Sequence, residues 1–133
     1  KEWELASYTE FRLNNKDGYK FKKSYPYPTG ENTLGLNCLN DCNFNYPSKY
    51  SKFLLRGYGH VSTSSTKKGI NGLYDMGGNV WEWVDINDNS YKGTKGGSWW
   101  YGKNQMIQGY NATKPKNMSA VYIGFRCVKD FKN

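Results

Sequence analysis

Asp75 and Glu82 stand seven residues apart in GLYDMGGNVWEW, residues 72–83, with Gly77 and Gly78 between them. Two carboxylates around a flexible turn are ingredients for holding a hard cation. Calcium takes roughly six to eight oxygens from carboxylates, backbone carbonyls and water. Glycines let the backbone turn so that its carbonyls can face inward. The spacing is not that of an EF-hand loop. The alternative is a turn capped by Asp75, with Trp81 and Trp83 filling the core. A second chemistry lies in the thiols of Cys38, Cys42 and Cys127. Cys38 and Cys42 are close enough to close a small loop, which suits an oxidising compartment; otherwise all three are reduced. The one histidine, His60, sits in a Ser/Thr-rich stretch and reads as surface.

The elements that position these groups are few. In KEWELASYTEFRL, Trp3, Leu5, Ala6 and Tyr8 mark a helical face, with Glu2 and Glu4 in the first turn. Residues 17–35, the Asn-rich GLNCLNDCNFNYP and residues 57–71 are loop, rich in Gly, Pro, Asn and Ser. Val80, Trp81, Trp83 and Val84 suit a strand, followed by a polar turn from Asp85 to Lys92. GGSWW, residues 96–100, reads as a strand entered through glycines. VYIGFRCV, residues 121–128, is the strongest strand pattern. Arg126 inside that apolar run needs an acid, and Glu4, Glu82 and Asp85 are the candidates.

The 133 residues make one domain with a modest core, and no internal repeat or linker divides them. Twelve Tyr, five Trp and fifteen Gly point to ring-filled packing, many turns and few long helices. The net charge is +8, but the lysines are scattered and no nucleic-acid motif accompanies them, so nucleic acid is not the expected partner. No apolar run is long enough for a membrane span. The opening Lys1-Glu2-Trp3, with neither Met nor signal peptide, reads as a piece of something longer or as a processed product.

GLYDMGGNVWEW, then KGGSWW, then IGFRCV, in that order, resemble the sulfatase-modifying-factor family, which contains the formylglycine-generating enzymes. KEWELAS is similar to that family's helix, YPTGE to one of its turns and NCLNDC to an Asn-Cys loop in bacterial members. The resemblance implies an α+β fold of the C-type-lectin kind, with little regular structure, short antiparallel strands and many ordered loops. It implies that residues 1–133 are the C-terminal portion of a longer family domain. It also implies calcium, held by the Asp75 and Glu82 side chains and the Gly78 and Val80 carbonyls. A second family calcium would use Asn37 and the Cys38 carbonyl, but its downstream Asp is not evident in NFNYPSKYS.

The same resemblance bears on catalysis. The family's enzymes oxidise a substrate cysteine with oxygen, using a copper-binding cysteine pair between the GGSW and GFR blocks. Here that interval, residues 100–123, has no cysteine, and the two positions fall near Lys103 and Gln108. Copper is therefore not expected. The family's Arg in this interval is replaced at about Asn111. Cys127 matches a family cysteine whose disulfide partner falls at Ser7, which leaves Cys127 a free or buried thiol. A related branch uses iron held by histidines largely from another domain; His60 alone cannot supply that.

The reading that follows is a non-catalytic, calcium-stabilised binding or scaffold module. Trp100, Tyr101, Gln108, Tyr110 and Asn111 form its candidate ligand surface, facing a protein or glycan, or a partner chain that supplies the rest of the domain. The alternatives are a formylglycine-generating oxidase, or a fragment of one, and a structural subunit of a larger assembly. A calcium site and a Cys38–Cys42 bridge both favour an extracytoplasmic or secreted location.

Overall fold

The computed structural model describes residues 1–43, 59–86 and 88–129. Helix α1 spans Glu2–Tyr8, with Glu2 and Glu4 at its positive end, and Thr9 leaves it in an extended conformation. Its buried residues are Ser7 and Tyr8. Leu5, expected on the core face, is 51% exposed. The stripe that faces inward runs through Trp3 and Ser7, one turn apart, and Leu5 lies about 200° round the axis from Trp3.

Four strands make one sheet: β1 Trp81–Val84, β2 Tyr91–Lys95, β3 Ala112–Pro115 and β4 Ile123–Gly124, in the order β3-β2-β1-β4. β1 pairs antiparallel with β2, setting Glu82 opposite Lys95, and β2 pairs antiparallel with β3, setting Lys92 opposite Lys114. β1 pairs in parallel with β4 through Trp81–Ile123 and Glu82–Gly124.

Two strand expectations are corrected. Residues 96–100 are not a strand; β2 lies just before them, inside what reads as a polar stretch. Gly96 and Gly97 have φ +89 and +71, which end the ladder and turn Trp99 into the core, with Trp100 half-buried beside it. Residues 121–128 keep only Ile123–Gly124 as strand, and Phe125 and Val128 are exposed. Beyond Gly124 the chain is held by Arg126 rather than by a ladder, so β-propensity there has no partner strand to act on.

Large rings fill the interior as composition predicts: Trp81, Trp99 and Tyr8 are almost completely buried. A smaller cluster of Leu36, Cys38, Cys42 and Met106, with Tyr27 against it, sits under the loops. The rest is loop tied by single hydrogen bonds, such as Gly35 N to Cys42 O and Asn79 N to Asn37 O. Among the described residues no helix is long and apolar enough to cross a membrane.

Candidate ion-binding turn and aromatic surface

The turn before β1 is built from left-handed residues. Asp75, Gly78 and Asn79 have φ of 59, 72 and 57. Asp and Asn tolerate that region because their short side chains bond locally. At Gly78 there is no alternative, since a Cβ would lie 2.4 Å from the Asn37 carbonyl oxygen. The Gly78 N–H donates to Gly96 O at 2.7 Å and Asn79 N to Asn37 O at 2.8 Å, stitching the turn to two other loops. The Asp75 carboxylate accepts from Ser64 N at 2.9 Å and Thr66 Oγ1 at 2.7 Å.

Glu82 follows on β1 and is 4% exposed. Its Oε2 accepts from Trp3 Nε1 and Arg126 Nε, each at 2.7 Å, and its Oε1 from Arg126 Nη2 at 2.6 Å. Arg126 also donates to Tyr74 O at 2.9 Å. Of the three acids named for Arg126, the structure selects Glu82. Glu4 instead pairs with Lys95 at 2.6 Å, and Asp85 with Lys92 at 2.7 Å.

A hard cation at this turn would draw on the remaining acceptor capacity of Asp75 and Glu82, beside the Arg126 guanidinium that already holds Glu82. An ionised carboxylate offers about four lone-pair positions. Three donors reach Glu82 and two reach Asp75, which leaves acceptor room on both. Both line one cavity of about 290 Å³, together with Asn79, Val80 and Arg126. Among the described residues, no three His, Cys, Asp or Glu side chains cluster as ligands, so backbone or amide oxygens would have to contribute. Asn37, the residue expected at a second ion, does not line that cavity; its Oδ1 is buried without a hydrogen-bond partner. Its amide nitrogen donates to Gly59 O and Asn79 Oδ1. Most of the NFNYPSKYS stretch, where the second site's downstream acid was sought, lies outside the described residues.

Sequence reasoning passed over Asn79. Its side chain bonds Val61 N and Val61 O, and its carbonyl accepts from Trp99 N. It joins three loops at the turn's centre. The signal was an Asn between a glycine and a strand, where the left-handed conformation is needed. Trp3 as a donor to Glu82 was equally hidden, since the two are far apart in sequence.

The candidate ligand surface divides. Trp100 and Tyr101 join a ring cluster: Trp81–Tyr101 at 5.3 Å, Trp99–Trp100 at 5.0 Å, Trp100–Tyr122 at 5.7 Å and Tyr101–Tyr122 at 5.8 Å. Tyr110 leans on Trp81 at 6.3 Å. Lys114 Nζ lies 5.3 Å from the Trp81 ring centre and 5.6 Å from that of Tyr101. Gln108 points elsewhere, to Ser24 Oγ at 3.4 Å, and Asn111 Oδ1 accepts from Lys95 Nζ. Those two are therefore separate from the ring cluster.

Cys38 and Cys42 are joined in a buried disulfide. Its loop braces the ring segment, with Leu39 N donating to Tyr101 O at 3.0 Å and Lys103 N to Asp41 Oδ2 at 3.1 Å. Cys127 is a free, exposed thiol, and Ser7, at its expected partner position, is buried and donates to Trp3 O. His60 is exposed, as its sequence context predicts.

A family model described as the sulfatase-modifying factor enzyme 1-like domain matches residues 1–131. No match is found among curated proteins. A solved structure titled "Crystal Structure of CarF" aligns with a TM-score of 0.60 and 20% identity, over 93% of this chain and 43% of that one. At that identity the likeness is one of fold, and the chain spans less than half the length of that structure. The small mixed sheet, the short helix α1 and the bonded loops of the described residues are the α+β, C-type-lectin-like architecture of this group.

Proposed function

The chain belongs to the sulfatase-modifying-factor family, and from that premise we propose that it is a non-catalytic, calcium-stabilised binding or scaffold module. The observation that carries this reading is the interval between Trp100 and Ile123. Where the family's oxidases place two thiolates for copper, this chain has residues near Lys103 and Gln108, neither of which supplies soft sulfur. The other two neighbouring cysteines, Cys38 and Cys42, are tied to one another and buried, so they offer copper no thiolate.

Calcium, when bound, would supply fixed positive charge at the turn before β1. The residues that would hold it are Asp75, Glu82 and the carbonyls of Gly78 and Val80; Asn37 and the Cys38 carbonyl belong to the separate second ion that the family resemblance implies. Its role would be to pin a turn that has little regular structure around it. The ring cluster of Trp100, Tyr101 and Tyr110 is the surface that would meet a protein or glycan, with Gln108 and Asn111 lying apart from it. The disulfide favours a compartment outside the reducing cytoplasm.

Copper(I) titration of the chain with its Cys38–Cys42 disulfide intact, with oxygen uptake measured on a cysteine-containing peptide, tests the reading. No stoichiometric copper and no oxygen consumption are expected. Turnover of the peptide would make the chain an oxidase, or part of one.

A further inference from the structure

We propose that the outer edge of β3 receives an extended acidic segment of a partner polypeptide as a fifth strand. This rests on the binding-module reading and names the partner's chemistry.

β3 is an edge strand, paired only with β2 among the described residues. Lys116 N donates to Ser90 O at 3.0 Å, which continues the β2–β3 register and fixes which backbone groups face inward. Antiparallel ladders alternate bonded and non-bonded pairs. Lys114 and Ala112 therefore spend their backbone groups on β2, while Thr113 N–H and C=O face outward and the Pro115 carbonyl accepts from Met118 N at 2.9 Å. Pro115 sits where its missing N–H costs the ladder nothing. The outer edge thus carries one donor and one acceptor, both on Thr113, enough for one bonded pair with an incoming chain.

Charge selects what comes. From Asn89 to Val128 the chain has Lys92, Lys95, Lys103, Lys114, Lys116 and Arg126 and no Asp or Glu. Lys92, Lys95 and Arg126 are neutralised by acids from elsewhere, namely Asp85, Glu4 and Glu82. Among the described residues Lys103, Lys114 and Lys116 have no carboxylate partner. Lys114 is half-buried and steadied over Trp81 and Tyr101, so its ammonium is positioned before any ligand arrives. A lysine and a proline on an edge repel a second basic copy of this chain. They leave the edge open to an acidic strand, in which backbone bonds give register and carboxylates meet Lys114 and Lys116. A glycan is less well served. The rings meet each other largely edge-on, and Lys114 covers the Trp81 face on which a sugar would stack.

The test titrates the full chain with a short peptide alternating glutamate and valine, read by calorimetry and by amide exchange at Thr113. Saturable, salt-sensitive binding that slows Thr113 exchange is expected. Lys114→Glu, and separately methylation of the peptide's backbone nitrogens, should each weaken it by roughly tenfold or more. Near-ultraviolet circular dichroism checks that Lys114→Glu folds; the methylated peptide needs no variant at all. Equal binding of the methylated peptide would overturn strand addition. So would a heparin fragment that binds more tightly than the peptide while Thr113 exchanges freely. No binding at low salt, together with no oxidase activity, would remove the edge inference and leave the module reading standing. Oxygen turnover on a cysteine peptide would overturn both.

Discussion

Glu82 and Arg126 face each other in a two-pronged pair, 2.7 and 2.6 Å across, although 44 residues separate them. Glu82 is nearly closed to water, with its side chain 6% exposed, while that of Arg126 is 29% exposed. Removing one partner of such a pair leaves a charge without compensation. Arg126→Ala should cost about 2–4 kcal/mol, seen as a fall of roughly 10 °C in Tm. Replacing both residues with apolar ones of similar volume should cost less than either single change. A double variant less stable than both singles would mean the pair is not the dominant contact.

Calcium should raise Tm against an EDTA control. At a free ion concentration about a hundred times Kd, linkage gives about 2.7 kcal/mol. Asp75→Ala should shrink the shift, and Asn37→Ala should shrink it further if a second ion uses the unpartnered Asn37 oxygen. Scanning calorimetry with and without the ion decides this. A Tm that ignores calcium in the parent protein would remove the ion from the proposed function.

The Cys38–Cys42 bridge spans four residues in sequence. A loop that short restricts the unfolded chain by about 2 kcal/mol. Exchanging both cysteines for serine should lower stability by about that much. Because Leu39 and Asp41 bond Tyr101 and Lys103, the amides around residues 101–103 should also exchange faster than those of β1. Uniform acceleration across the sheet would show a global effect instead.

Acid should destabilise the N-terminal loop first. Burial pushes the Glu10 carboxyl up, but hydrogen bonds from the Arg12 side chain and backbone and from Asn71 N outweigh it and hold it below its ordinary 4.5. Arg12 likewise lowers Asp17. A carboxyl lowered on folding adds stability that is whole above its unfolded value and is lost as pH falls through the folded one. Tm should therefore decline below pH 4.5. Glu10→Gln should flatten that decline, whatever its effect at neutral pH, and an unchanged slope would assign the acid limb elsewhere.

Much of this frame is legible from local sequence. Two acids in the first turn start α1, and alternating Val and Trp residues make β1. The need of Arg126 for an acid follows from burying a charge. β2 was hidden because Tyr-Lys-Gly-Thr-Lys has little β-character of its own; it is a strand because β1 and β3 bond it from both sides. The apolar run at 121–128 misled for the opposite reason: strong propensity, but a partner for only two residues. At the candidate turn, Asp75 and Glu82 stand out by type and spacing, and Gly78 enters through the family resemblance. Asn79 and Trp3 act through contacts that only the folded chain creates.

Trp3 and Arg126 both close on Glu82, one from 79 residues before it and one from 44 residues after it. A chain emerging from the ribosome can wind its opening helix early. That helix cannot settle against a neutralised carboxylate until residue 126 has also appeared. These three residues therefore settle together, and a nascent chain stalled short of Arg126 should be an easy target for proteases.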